Sequence, residues 1–216
     1  SGTSYAAPMV AAETALLLER DTSLKTYPET VKAVIMATAL HNIEGDTELS
    51  DIDGAGGVDM RAAFHLVDEG WWNWDNVQES DFPYTYTQYA HTGETVRAVI
   101  AWNSNPASDY SSDPLEADLD LRVYDGDGDF VTSSTSFNNS YEIVEFDAPT
   151  TGYYHFRISE FTFAGTNEFV GFAFWPGHRG LTAYDPDVYD TPPISHDNYR
   201  ITAADVEGIR RGVFYI

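Results

Sequence analysis

The stretch SGTSYAAPMVAAETALLLERD (residues 1–21) decides how the chain is read. A serine stands behind Gly-Thr, a proline follows four residues later, and almost nothing polar appears before Glu19-Arg20-Asp21. Proline is tolerated in the first turns of a helix, where a missing N–H costs little. Leu16, Leu17 and Leu18 then make that helix apolar around most of its circumference, the pattern of a buried helix. The stretch therefore predicts a small-residue turn that presents Ser4 at the start of a core helix.

Working outward, residues 1–70 read as helical. Thr26-Tyr27-Pro28-Glu29 predicts a helix start with a hydroxyl cap, and Val31, Val34, Ile35 and Thr38 carry that helix on at helical spacing to Ala39. Gly54-Ala55-Gly56-Gly57 predicts a turn, and a third helix begins at Val58 to Phe64. After Gly70 the composition changes: Trp71, Trp72 and Trp74 mark a junction, and strands follow. Val96 to Trp102, Leu119 to Val123, Tyr141 to Phe146, Tyr153 to Ile158 and Phe169 to Trp175 are short apolar or alternating runs separated by turn residues. That succession predicts an antiparallel β-sandwich over 71–176. Residues 177–216 form a tail of unknown role, with a short helical pattern from Ala203 to Arg211.

Asp and Glu number 35 against 11 Lys and Arg in 216 residues, a net charge of −24, and the two lysines are Lys25 and Lys32. Such a surface repels nucleic acid and anionic membranes. Two settings suit it: a cation-rich medium such as brine, where salt screens the repulsion, or an ordinary acidic secreted protein. Cysteine is absent, so disulfides and thiolate metal sites are excluded. No run reaches the length of a membrane span, and residues 6–18 are interrupted by Glu13 and Thr14. With no initiator Met and no basic leader before them, they are not a signal peptide, and the N-terminus reads as cut.

The chemistry of the opening stretch is legible in its residues. A nucleophilic serine must stand exposed while backbone N–H groups face the oxyanion it generates. The N-terminus of a rigid helix provides both, through free N–H groups and its dipole. The alternative is a plain helix-capping serine. Gly2-Thr3-Ser4-Tyr5-Ala6-Ala7-Pro8-Met9-Val10-Ala11 resembles the nucleophile motif G-T-S-x-A-x-P-x-V-A of subtilisin-like serine peptidases. Residues 54–63 are similar to the G-x-G-x-V-x-x-x-x-A segment near the end of that catalytic domain, so the resemblance runs from residue 1 to about 67. It departs at Ser1, where Asn is usual, and at Ala12, where Gly is usual.

The resemblance implies a fold and an activity. The fold class is α+β: the C-terminal helices of a subtilase α/β catalytic domain (1–70), then a jelly-roll-like antiparallel sandwich. The activity is a secreted serine endopeptidase acting on protein or peptide substrates, with Ser4 forming the acyl-enzyme. In that family the Asp and His of the triad precede the serine, on Asp-[ST]-Gly and His-Gly-[TH] stretches. Neither stretch occurs here, and His91-Thr92-Gly93, the nearest lookalike, follows the serine and reads as a strand turn. The chain alone is therefore expected to be inactive, its partner being the missing N-terminal part of the catalytic domain. Helices 1–70 lack the parallel sheet that would cover them, which predicts exposed apolar surface, dimerisation or poor order.

In the second half, Ala117-Asp118-Leu119-Asp120-Leu121-Arg122-Val123-Tyr124 and Ala148-Pro149-Thr150-Thr151-Gly152-Tyr153-Tyr154-His155-Phe156 resemble pre-peptidase C-terminal domains and the jelly-roll tails of long subtilases. Asp118 and Asp120 share a strand face, with Asp113 and Glu116 just upstream. These are hard oxygen ligands suited to a structural calcium ion, or else solvated carboxylates. Asp125-Gly126-Asp127-Gly128-Asp129 lacks the distal Glu of an EF-hand loop and predicts a hairpin turn. The tryptophans suit aromatic packing between the halves, the alternative being a carbohydrate platform. Beside the peptidase reading stands a non-catalytic one, in which the sandwich binds polysaccharide or a cell surface.

Overall fold

The computed structural model describes residues 3–40, 54–103 and 115–177. Among these residues three α-helices come first: α1 (Thr3–Arg20), α2 (Pro28–Thr38) and α3 (Met60–Glu69). Eight strands follow: β1 (Trp72–Val77), β2 (Tyr84–Ala90), β3 (Thr95–Ala101), β4 (Ala117–Tyr124), β5 (Phe130–Ser134), β6 (Tyr141–Asp147), β7 (Gly152–Phe163) and β8 (Glu168–Pro176). They form two antiparallel four-stranded sheets in the orders β1-β8-β3-β6 and β2-β7-β4-β5. That pairing is jelly-roll wrapping, two Greek keys folded face to face. The expected α+β class and jelly-roll sandwich are present.

The helix starts follow local chemistry. Pro28 occupies the first turn of α2, but Tyr27 is its N-cap and no side chain caps it. The hydroxyl cap expected at Thr26 is absent because Thr26 ends a 3₁₀ turn, Thr22–Thr26, whose own cap is the Asp21 carboxylate. Asp59 accepts from the backbone N–H groups of Arg61 and Ala62 and so starts α3. Gly70 ends it in the left-handed conformation (φ 68°) that glycine adopts without steric cost.

Between the sheets lies a core of Trp102, Leu119, Leu121, Tyr154, Phe156, Phe172 and their neighbours. On β4, Leu119, Leu121 and Val123 turn inward while Asp120, Arg122 and Tyr124 stay partly exposed, the expected alternation. Strand β3 does not alternate, being buried from Val96 to Ala101. Val96, Ala98 and Ile100 enter the sandwich core, while Val99 and Ala101 join Ala173 and the helices in a second core. The near-continuous apolar run in the sequence thus records a strand covered on both faces.

The cover is α2. Its Val31, Ala33, Val34 and Ala37 meet Val99, Ala101 and Ala173, together with Leu17, Leu24, Ala63, Leu66 and Val67 from the other helical segments. The tryptophans serve this junction: Tyr27 stacks on Trp74 with ring centroids 3.9 Å apart, and His65 sits edge-on to Trp71 and Trp175. The 125–129 run is the β4–β5 turn, closed by an Asp125 N–H···O Asp129 bond of 2.9 Å, with the Asp125 carboxylate accepting from the N–H groups of Asp127 and Asp129.

Candidate functional site

Ser4 lies in the first turn of α1, and it is exposed. No acidic residue occupies that turn. Its free N–H groups and the positive end of the helix dipole therefore face outward unopposed by a neighbouring carboxylate in the same turn. At the far end, Arg20 makes a two-pronged ion pair with Asp68 of α3, at 2.6 and 2.7 Å, placing a cation where the dipole favours one.

The rest of α1 is mostly uncovered. Glu13 and Leu17 are its buried residues, whereas Tyr5, Met9, Val10 and Leu16 are exposed. An apolar groove of about 460 Å³ runs between α1, the 3₁₀ turn and α2, lined by Val10, Leu18, Leu24, Val31 and Ile35. Exposed apolar surface on the first helix, one of the expected outcomes, is what the structure has. Among the described residues, no helix is long and apolar enough to cross a membrane.

Glu13, which interrupts the apolar run of α1, is not a solvated residue. Its side chain is buried, and neither carboxylate oxygen has a hydrogen-bond partner among the described residues. Burial, then the charge of Asp59, pushes its pKa up to about 7. Glu142 on β6 is buried too, and its pKa is also pushed up to about 7, burial outweighing its bonds from Ser134 and Ser136. A carboxyl whose folded pKa exceeds its unfolded one binds its proton more tightly when folded. Its contribution to stability is full below about pH 4.5 and is lost as pH rises through about 7. The chain should therefore be more resistant to urea at pH 5 than at pH 8, by a few kcal/mol, with Glu13→Gln flattening the slope. A slope unchanged in that variant would remove Glu13 from the account.

The described histidines have other surroundings. His65 packs against tryptophans, His155 bonds Thr87 at 3.0 Å, and His91 lies in the β2–β3 turn, its N–H held by the Glu94 carboxylate. Gly93 adopts φ 80° there, so the His-Thr-Gly lookalike is the strand turn it was read to be. Among the described residues, Ser4 has no histidine or carboxylate partner. His41, His178 and His196 lie outside those residues, as do the tail 177–216 beyond Gly177 and its Ala203–Arg211 pattern.

Of the candidate calcium ligands, Asp118 and Asp120 lie on β4 and Glu116 just before it, while Asp113 lies outside the described residues. Asp118 is buried with one carboxylate oxygen unpartnered, and burial followed by the Asp120 charge raises its pKa. Asp120 is tied to Arg122 at 2.8 Å. Among the described residues, no three metal-ligating side chains converge.

Residues 1–56 match the sequence profile of the Subtilase family, Peptidase_S8. No curated protein matches the chain. Among solved structures, the pre-peptidase C-terminal domain of a collagenase from Bacillus anthracis aligns at 10% identity over 48% of this chain and 86% of that one, with a TM-score of 0.36. The acidic stable capsid of Helicobacter pylori bacteriophage KHP30 aligns at 8% identity over 48% of this chain and 93% of that one, with a TM-score of 0.25.

Proposed function

From the premise that residues 1–56 are a subtilase-family segment, we propose that this chain is the C-terminal part of a secreted subtilisin-like serine endopeptidase. The observation that carries the reading is Ser4, exposed in the first turn of α1 within the motif Gly2-Thr3-Ser4-Tyr5-Ala6-Ala7-Pro8. In the intact enzyme a histidine supplied by upstream sequence takes the Ser4 hydroxyl proton, and the Ser4 oxygen attacks the scissile carbonyl. The carbonyl oxygen becomes an oxyanion, stabilised by N–H groups of the α1 first turn. The amine product leaves with the proton returned by the histidine, and water hydrolyses the acyl-serine. The apolar face of α1 and its groove are covered, in this reading, by the upstream catalytic layer. The deciding experiment recovers the coding sequence before Ser1. An Asp and a His in family context support the reading, and their absence rejects it.

A second reading has one observation in its favour. The outer face of the β2-β7-β4-β5 sheet exposes Tyr89, Tyr153 and Phe130. The Tyr89 and Tyr153 rings meet at 76° rather than lying coplanar, which suits a stacked sugar poorly. Retention of the chain on chitin, cellulose or cell wall, lost on replacing Tyr153 with alanine, would favour a binding role.

A further inference from the structure

The sandwich could be a separable module joined by a linker, yet the junction contains no spacer. Helix α3 ends at Glu69 and β1 begins at Trp72. Between them the Trp71 N–H donates to the Leu66 carbonyl at 3.1 Å, while its carbonyl accepts from the Phe174 N–H at 2.9 Å. One residue is thus bonded to the last turn of a helix and to a central strand of the sandwich.

Helix α2 is tied to the sandwich along its whole length. At its start, Glu29 accepts from the Asn103 amide, and the Thr30 hydroxyl donates to the Asn73 carbonyl at 3.3 Å. Next, Lys32 Nζ donates to the Ser140 carbonyl and hydroxyl at 2.9 and 2.8 Å. At its end stands Arg97 of β3, fully buried. Arg97 Nε pairs with the Glu145 carboxylate at 2.7 Å, and Nη1 donates to the carbonyls of Ala39 at 2.8 Å and Ala55 at 2.9 Å. Beside those two carbonyls a two-bond bridge joins Leu40 and Gly57, at 2.7 and 2.8 Å.

We infer that the sandwich is the fixed wall of the helical layer, and that Arg97 is a positioning residue that locks α2 and the Leu40–Gly57 bridge onto it. The lock is passed on to α1. Leu17 shares one core with Val99 and Ala173 of the sheet, and Arg20 is paired to Asp68 of α3. On the peptidase reading above, on which this last clause rests, the sandwich thereby holds the layer that carries the nucleophile. The coupling of sandwich to helices does not depend on that reading.

Hydrogen exchange of the full chain, followed by mass spectrometry, tests the coupling without any catalytic readout. In the native protein, α2 should exchange with the same opening free energy as β3 and β8, within about threefold in rate, because they belong to one cooperative unit. In Arg97→Met, residues 36–40 and 54–57 should lose protection at least about tenfold more than β2 and β7 do, and Arg97→Lys should recover part of it. An α2 that exchanges about a hundredfold faster than β3 and β8 in the native chain would overturn the inference, even if the variants fail to fold. So would an Arg97→Met variant that loosens all strands equally, or an Arg97→Lys variant with no recovery. Whether Ser4 is catalytic is left to other measurements, so the two ideas fail separately.

Discussion

Replacing Gly171 with alanine is expected to lower the melting midpoint by about 6–12 °C, equivalent to roughly 3 kcal/mol for a chain of this size. Gly171 sits on β8, opposite Ala101 on one neighbour strand and Trp74 on the other. A Cβ there would lie 2.3 Å from the Thr30 nitrogen, 2.4 Å from the Glu29 carbonyl carbon and 2.5 Å from the Thr30 Cα. All three are backbone atoms of α2, so no rotamer change relieves the clash and the helix must lift. Lifting it uncovers Val99, Ala101 and Ala173 and strains the Thr30–Asn73 and Asn103–Glu29 bonds. Gly152, with nothing within 4 Å of the position a Cβ would take, is the control, and Gly152→Ala should shift the midpoint by under about 2 °C. Thermal melts of the two variants decide it: equal midpoints would mean that α2 is not seated on β8.

The largest functional effect is expected at Ser4. In the protein extended upstream through its own coding sequence, Ser4→Ala should lower kcat/KM for peptide hydrolysis by about 10⁴-fold or more, since no other group can form the acyl-enzyme. The same change should leave the melting midpoint within about 1 °C, because an exposed residue with no side-chain partner among the described residues holds little of the fold. That split separates a nucleophile from a helix cap. A capping serine would show the reverse, unchanged hydrolysis with about 1 kcal/mol of lost stability.

Much of the architecture was legible because local patterns and tertiary burial agree. Pro28 and the spacing of Val31 and Val34 gave α2, Leu119-Leu121-Val123 gave β4, and the Asp-Gly-Asp-Gly-Asp run gave its turn. Strands β1, β2 and β5 were not read, because their signals are weak. Trp72-Asn73-Trp74-Asp75-Asn76 and Phe130-Val131-Thr132-Ser133-Ser134 are short and half-exposed, and of β1 and β2 only Val77, Tyr86 and Ala90 are buried. The serine was legible through its neighbours. The tryptophans announced that the halves pack together, but not that α2 is what lies on β3 and β8. A lone Arg97 within an apolar run and a glycine within Phe169-Val170-Gly171-Phe172 mark where α2 lies, and neither reveals its partner until the strands are ordered. Glu13 was likewise concealed, since a glutamate in a helix is ordinarily a solvated one.

The most direct measurement is labelling with a fluorophosphonate, which phosphonylates activated serines, followed by peptide mapping. In the protein extended upstream, the account predicts one adduct, on Ser4, and none in Ser4→Ala. It predicts no adduct on the 216-residue chain by itself, in which no histidine partners Ser4 among the described residues. An extended, folded and hydrolytically active protein whose adduct maps to another residue would contradict the account.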